Sequence, residues 1–351
     1  MHGPGPQVRR ASGGAGPRDA SGALPLTRLD VRGDPPDAGA VACAAAVLRR
    51  GGLVALPTET VYGLAANALD ATAVRRIFAA KGRPADNPLI VHLAAADDLG
   101  RVTPAITPLA RTLVATFWPG PLTIVLEAAV DLPAVTTGGL RTVAVRVPGH
   151  PVAQAVIAAS GVPVAAPSAN RSGRPSPTTA DHVVADLADR LDVLLDAGPT
   201  GLGLESTVVD ARGATPVIFR EGAVTREHLG LGGAATGPSP DAPSPGARYR
   251  HYAPVCTVEI VAPALLGDRA RALAGQGMRA GVVAPTRCSV DHAVSIARFD
   301  DVDELARGLY GAFRDAEAAH LDVLLCSAVP ETGMGRAVMD RLRRAADATH
   351  G

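Results

Sequence analysis

Between residues 27 and 230, short apolar runs alternate with amphipathic ones, and this alternation constrains the fold more than any other property of the chain. The runs 53–57 (LVALP), 89–93 (LIVHL), 122–128 (LTIVLEA), 142–147 (TVAVRV), 163–166 (PVAA), 192–196 (DVLLD), 206–210 (STVVD) and 216–220 (PVIFR) are rich in Val, Leu and Ile. Proline or glycine borders most of them, so they read as short buried strands. Residues 71–80, 106–117, 151–160 and 179–190 carry apolar residues at helical spacing instead. Pro151 falls in a first turn, where its missing N–H costs nothing. Thr178 or Thr179 is placed to cap the last of these helices. Many strands and fewer helices predict an α/β fold on a curved, twisted, mixed sheet rather than a plain doubly wound one.

The pattern stops at 231–254, which is rich in Gly and Pro and has no apolar periodicity. Such a stretch reads as a linker. It ends in Arg248, Tyr249, Arg250, His251 and Tyr252, an aromatic and basic cluster that a solvated tether does not need. Strand and helix runs then resume: strands at 257–262, 279–285, 293–299 and 321–327, and helices at 265–277, 302–318 and 335–347. These predict a second, smaller α/β domain. The expected division is a leader over 1–26, a first domain over 27–235, a linker over 236–254 and a second domain over 255–351. The leader is biased to Gly, Pro, Ala and Arg and has no apolar core, so it reads as disordered and not as a secretory signal.

Acidic and basic residues balance at 34 each, which argues against a chain that binds nucleic acid by bulk charge. No apolar run approaches the ~20 residues that span a bilayer. Cys43, Cys256, Cys288 and Cys326 are scattered, with no CxxC pair. They read as buried apolar filler in a cytoplasmic protein, not as disulfides or a zinc site. One compositional feature is sharper. Lys81 is the single lysine against 33 arginines. A chain that uses arginine for every generic cation retains lysine where a compact point charge is needed and a planar fork does not serve.

Four segments hold more polar residues than folding requires. Residues 57–64 (PTETVYGL) follow a strand, and strand ends are where α/β proteins place ligands. Residues 81–88 (KGRPADNP) set Lys81 and Arg83 around a glycine, which suggests an anion clamp, with His92 in the strand beyond. A helix dipole explains a lysine at the end of a helix but not the remainder of that segment. Residues 166–176 (APSANRSGRPS) follow another strand, and the glycine-rich loop 198–207 (GPTGLGLEST) offers amides that can cradle phosphate. There is no GxxxxGK[ST], no GxGxxG after a first strand, no GxSxG around Ser168 and no HExxH. The residues alone thus describe an anion-binding α/β enzyme of unnamed substrate.

Taken together, PTETVYGL, KGRPADNPLIVH, FWPGPLTIVL, TVAVRVPGHP, APSANRSGRPSPT, GLESTVVD and SPGARYRHYAP resemble the YrdC family in its long, two-domain form. The resemblance covers about residues 40–254 in order, and the tail around GMGRAVMDRLRRAA is similar to the family's C-terminal domain. It implies a nucleotidyltransferase that makes threonylcarbamoyladenylate and pyrophosphate from L-threonine, bicarbonate and ATP. Other proteins then transfer the threonylcarbamoyl group to tRNA. It also implies that Lys81, Arg83, Ser168 and Asn170 form a central catalytic tetrad, with Lys81 and Ser168 on the ATP phosphates. Thr142, Ser176 and Arg220 match ATP-contacting positions, and Thr58, His92, Arg146, Ala166 and Ser206 match positions that hold L-threonine, with Arg146 facing its carboxylate. Tyr249, His251 and Tyr252 are expected to close over the ATP site as a lid; the alternative is that they join the two domains. Mg2+ is expected with ATP, without a dedicated protein metal site. The family's link to tRNA allows a weak tRNA contact, and an RNA-binding module is the competing reading from another class. Related carbamoyl-transfer enzymes carry acylphosphatase-like and zinc-finger regions for which this chain has no room.

Overall fold

The computed structural model describes residues 26–231 and 252–347. The expected leader and the cluster residues Arg248, Tyr249, Arg250 and His251 lie outside the described residues.

The chain enters the first domain through β1 (Thr27–Asp30) and α1 (Ala38–Arg49), followed by β2 (Val54–Leu56) and β3 (Gly63–Asn67). Next comes α2 (Ala71–Lys81), whose N-cap Asp70 accepts from the amides of Thr72 and Ala73. Gly82 ends it in a left-handed conformation at φ 62°, which costs glycine little. Then follow β4 (Ile90–His92), α3 (Pro108–Phe117), β5 (Leu122–Glu127), the single turn α4 (Ala134–Thr137) and β6 (Thr142–Arg146). The domain is completed by α5 (Pro151–Ser160), β7 (Val164–Ala165), α6 (Ala180–Leu187), β8 (Val193–Asp196), β9 (Thr207–Asp210) and β10 (Val217–Arg220). The expected strands and helices are all present; the strands are trimmed by a residue or two, whereas α2 runs one residue longer than expected and α5 matches its expected bounds. Pro151 opens α5, and Thr179 caps α6 by accepting from the His182 amide.

The pattern does not predict β1, α1, β3 or α4. Helix α1 is mostly alanine, so its two faces scarcely differ in hydropathy. β3 reads Gly-Leu-Ala-Ala-Asn, with no β-branched residue, and is a strand because β2 and β7 flank and pair with it.

These strands form one mixed sheet in the order β1-β8-β2-β3-β7-β4-β6-β5-β9-β10. Alternate residues along β2 serve opposite faces, as a pleated strand requires. Val54 and Leu56 pack with α1 and α5 through Val47, Leu48 and Val156, whereas Ala55 joins the core under α2, α3 and α6. Farther along the sheet, Ile90, Val125, Ala144, Val208 and Phe219 make a smaller apolar patch of their own.

The second domain runs β11 (Thr257–Val261), α7 (Leu266–Gly275), β12 (Ala280–Pro285), β13 (Val294–Phe299), α8 (Val302–Ala318), β14 (Val323–Ser327) and α9 (Met334–Asp347). Its four strands are all parallel, in the order β11-β14-β12-β13. The two domains share a core. Val61 and Leu204 of the first domain belong to the same buried cluster as Tyr252, Tyr310, Phe313 and Leu342. At Gly203, φ 77°, an added Cβ would come within 2.5 Å of the Cα of Arg307 in α8. Arg314 of α8 reaches back to Asp186 at 2.8 Å and to the Pro175 carbonyl at 2.6 Å.

The cysteine reading needs one correction. Cys256 and Cys326 are buried and Cys288 is partly so, but Cys43 is exposed on the outer side of α1. No helix among the described residues is long and apolar enough to cross a membrane.

Candidate active site

Parallel pairing of β4 with β6 sets Ile90 opposite Ala144 and His92 opposite Arg146. In-register partners point the same way, so the imidazole and guanidinium share one face with the patch around Ile90. Loops from four parts of the chain close over that face. The pocket beneath them is lined by Thr58, Arg83, His92, Arg146, Ala166 and Ser168, together with Asn170, Ser206, Arg220 and Tyr252. The expectation of a ligand at the strand ends is thus only partly met, because Ile90 puts the pocket on the sheet face as well.

His92 is buried, with Nδ1 3.2 Å from the Ile90 carbonyl. A carbonyl only accepts, so Nδ1 carries the proton and Nε2 is left as an acceptor. Burial, and then the Arg146 charge, push the His92 pKa down to about 3. The ring is neutral in the folded state. Above about pH 6.5 neither the folded nor the unfolded chain protonates it; between there and about 3 only the unfolded chain does. Stability therefore falls as pH falls through that window. His92→Asn is expected to flatten part of that slope in melting curves between pH 7 and 4, and an unchanged slope would contradict a buried neutral ring.

Arg146 is also buried. Its Nε donates to the Gly120 carbonyl at 3.0 Å and Nη1 to Thr60 Oγ1 at 3.0 Å. Nη2 lies 2.6 Å from Glu59 Oε1, outside hydrogen-bonding angles. Nη2 is itself buried and ion-paired with Glu59, so all three guanidinium nitrogens are engaged within the protein and no bidentate fork stands open to a ligand. Glu59 is held by this pair: burial raises its pKa, but the Arg146 charge and the Gly149 amide bring it below the ordinary value. Thr58 Oγ1 donates to the Val61 carbonyl at 2.6 Å and lies 2.8 Å from Thr60 Oγ1. Arg220 donates to Ser206 at both its carbonyl and its hydroxyl, and the Ser206 hydroxyl lies 2.8 Å from Thr123 Oγ1.

Lys81 does not line the pocket. Its ammonium stands behind the 168–170 loop, 2.6 Å from the Ser168 carbonyl, 2.5 Å from the Asn170 carbonyl and 3.4 Å from Asn170 Oδ1. Burial, and then the Arg83 charge, push its pKa well below that of a free lysine. Three oxygens nevertheless surround it, and only the ammonium form has three protons to meet them. Arg83 does face the pocket, braced by the carbonyls of Asn87 and Pro88. The expected clamp is therefore divided, with one cation in the wall and the other behind the loop.

Thr142 lies at the start of β6 and Ser176 donates to Glu205 at 2.6 Å; neither lines the pocket. Tyr249 and His251 lie outside the described residues. Tyr252 lines the pocket and also belongs to the shared interdomain core. The phosphate-cradle reading of 198–207 needs correction. The amides of Thr200, Leu202 and Thr207 are taken by the carbonyls of Thr178, Glu59 and Pro121, and Gly203 presses on α8. That loop docks the second domain and delivers only its end, Glu205 and Ser206, to the pocket. Sequence reasoning missed Glu59, Thr60 and Glu205. The signal for the two acids was a carboxylate in each of two segments otherwise made of hydroxyl, small and apolar residues.

Comparison with known proteins identifies the family. Residues 46–222 match the Sua5/YciO/YrdC family model, described as telomere recombination, and residues 219–347 match the threonylcarbamoyl-AMP synthase C-terminal domain. The chain belongs to this family. It is 44% identical over 318 residues to the threonylcarbamoyl-AMP synthase of Pyrococcus abyssi, covering 86% of this chain and 92% of that protein. It is 42% identical over 322 residues to the enzyme of the same name from Bacillus subtilis, covering 87% and 92%. Among solved structures, P. abyssi Sua5 complexed with L-threonine superposes with a TM-score of 0.84 at 41% identity, covering 92% of this chain and 98% of that one. The family's mixed sheet and second parallel domain are those described above.

Proposed function

We propose that this chain is an L-threonylcarbamoyladenylate synthase that converts L-threonine, bicarbonate and ATP to threonylcarbamoyl-AMP and pyrophosphate. The observation that carries the reading is the pairing of neutral His92 with Arg146 on one sheet face, in a fold that matches a threonine-bound relative across both domains. The Arg146 charge suits a substrate carboxylate, and the His92 Nε2 acceptor suits the hydroxyl of threonine. Thr58, Ala166 and Ser206 complete that end of the pocket.

The reaction is a nucleotidyl transfer. The threonine amine bonds to the carbon of bicarbonate, a C–O bond of bicarbonate breaks and water leaves with the amine proton, giving an N-carboxylate. One of its oxygens bonds to the α-phosphorus of ATP, the bond from that phosphorus to the bridging oxygen breaks, and pyrophosphate leaves. Such a step needs positioning and cations more than a strong base. Glu205 is the single acid among the described lining residues, and it is already engaged by three donors. Arg83 and Arg220, with the hydroxyl of Ser168 and the amide of Asn170, form the cationic and polar wall facing the phosphates. Lys81 fixes the loop that carries Ser168 and Asn170. Thr142, Ser176 and Tyr252 are assigned to the ATP side. With Glu205 engaged, Mg2+ is assigned to the triphosphate as its counter-ion. The product would pass to cytoplasmic proteins that transfer its threonylcarbamoyl group to tRNA.

Amino-acid choice tests the assignment. A site that hydrogen-bonds a hydroxyl leaves buried groups unpaired when an isostere lacks it, a discrimination of about 10⁴ in well-built cases. Pyrophosphate release with L-valine is expected to run orders of magnitude below that with L-threonine at equal concentration. Equal rates would remove His92 and its neighbours from the threonine subsite.

A further inference from the structure

Glu205 is a buried carboxylate on the pocket wall, 6% exposed. Ser176 of the first domain donates to its Oε1 at 2.6 Å. The remaining donors come from the second domain: the Tyr310 hydroxyl, 2.9 and 3.0 Å from its two oxygens, and Arg341 Nε at 3.0 Å from Oε2. Arg341 is fully buried in α9, an unusual place for a guanidinium, and its Cζ lies 5.3 Å from the centre of the Tyr252 ring. That ring stacks on Tyr310 with centroids 5.6 Å apart and lines the same pocket. Tyr252 has φ 73°, a left-handed conformation that costs a bulky residue energy and persists only where its surroundings fix it.

An ionised carboxylate beside a pocket for a polyphosphate opposes its ligand, and partial burial strengthens the opposition because little water screens it. Burial alone raises the Glu205 pKa, but the Arg341 and Arg220 charges outweigh it and keep the group ionised at neutral pH. The first domain therefore presents an anion to its own nucleotide site, and the second domain adds the Arg341 charge to that of the first domain's Arg220. Packing does not require this arrangement, since apolar side chains would join the domains at lower desolvation cost.

We propose that Arg341 and Tyr310 are positioning residues for ATP. They act through Glu205, cancelling its charge and fixing its oxygens on Ser176 so that the carboxylate does not repel the phosphates. The inference rests on the reading of this pocket as an ATP site. The second domain then contributes to nucleotide affinity without touching the nucleotide.

The test uses the full chain, calorimetric titration of ATP, pyrophosphate-release kinetics with ATP and threonine varied separately, and melting curves. Arg341→Met is expected to raise KM for ATP at least about tenfold, the scale of one like-charge contact in a partly buried site, while KM for threonine changes less than about twofold. Adding Glu205→Gln to that variant is expected to recover most of the lost ATP affinity, because a neutral amide no longer repels. Tyr310→Phe keeps the ring stack and is expected to raise KM for ATP a few-fold with little change in melting. It carries the test alone if Arg341→Met does not fold. Equal losses in both KM values, no recovery in the double variant, or an unaltered KM for ATP in Tyr310→Phe would overturn the proposal. If the native chain binds no ATP in the titration, the reading of the pocket fails and the proposal with it; native ATP binding that Arg341→Met leaves unchanged would overturn the positioning role alone.

Discussion

Lys81→Arg is expected to lower pyrophosphate release by at least about 10²-fold, the scale for losing one preorganised contact at a reacting charge. The substitution keeps the charge and changes only its shape. The native ammonium sits among the carbonyls of Ser168 and Asn170 and the Asn170 side chain, with its three protons fanning out from one atom. A guanidinium presents its donors as a flat fork spread over two edges, and cannot meet three oxygens gathered around one point. The extra volume in a buried position costs about 1–3 kcal/mol, which a folded domain tolerates. The loop carrying Ser168 and Asn170 moves, and the phosphate wall moves with it. Melting curves that show a folded variant, alongside lost turnover, give the predicted result. Near-normal turnover would mean that the survival of one lysine among 33 arginines is an accident of composition.

The framework of the fold was legible because its strands are short β-branched runs between turn formers, and period alone distinguishes these from the amphipathic helices. What was not legible is α1 and β3. An alanine-rich helix and a Gly-Leu-Ala-Ala-Asn strand carry no periodic contrast, and tertiary pairing decides them. At the site, the resemblance to a family supplied residues that physics alone would have passed over. His92 looks like any core histidine, and Arg146 like any strand arginine, until the register of β4 against β6 brings them side by side.

The loop 198–207 shows the opposite failure. Glycine-rich sequence suggests free amides, but Gly203 serves a close approach to α8, and three of the loop's amides are spent on carbonyls of the first domain. The roles of Glu59 and Glu205 lie in long-range pairs, with Arg146 and Arg341 respectively, that no spacing along the chain reveals. The break in apolar periodicity at 231–254 is visible in composition. That the domains share one buried cluster through Val61, Leu204 and Tyr252 is not, because each of these residues looks unexceptional in its own segment.

The central claim is that one pocket joins three substrates, and omission of each in turn tests it most directly. Purified full-length protein is incubated with ATP and magnesium, L-threonine and bicarbonate. Pyrophosphate is followed continuously, and the nucleotide product is identified by mass. Under the proposed assignment of His92 and Arg146 to threonine and of Arg83, Ser168 and Arg220 to the phosphates, ATP meets a nucleophile only when carboxylated threonine is in place. Pyrophosphate release is therefore predicted to fall to background, at least about 10³-fold in line with the loss of an oriented nucleophile, when threonine or bicarbonate is withheld. With all three present, threonylcarbamoyl-AMP should appear in step with pyrophosphate. Release of pyrophosphate from ATP alone, or a nucleotide product lacking the threonylcarbamoyl group, would contradict the account.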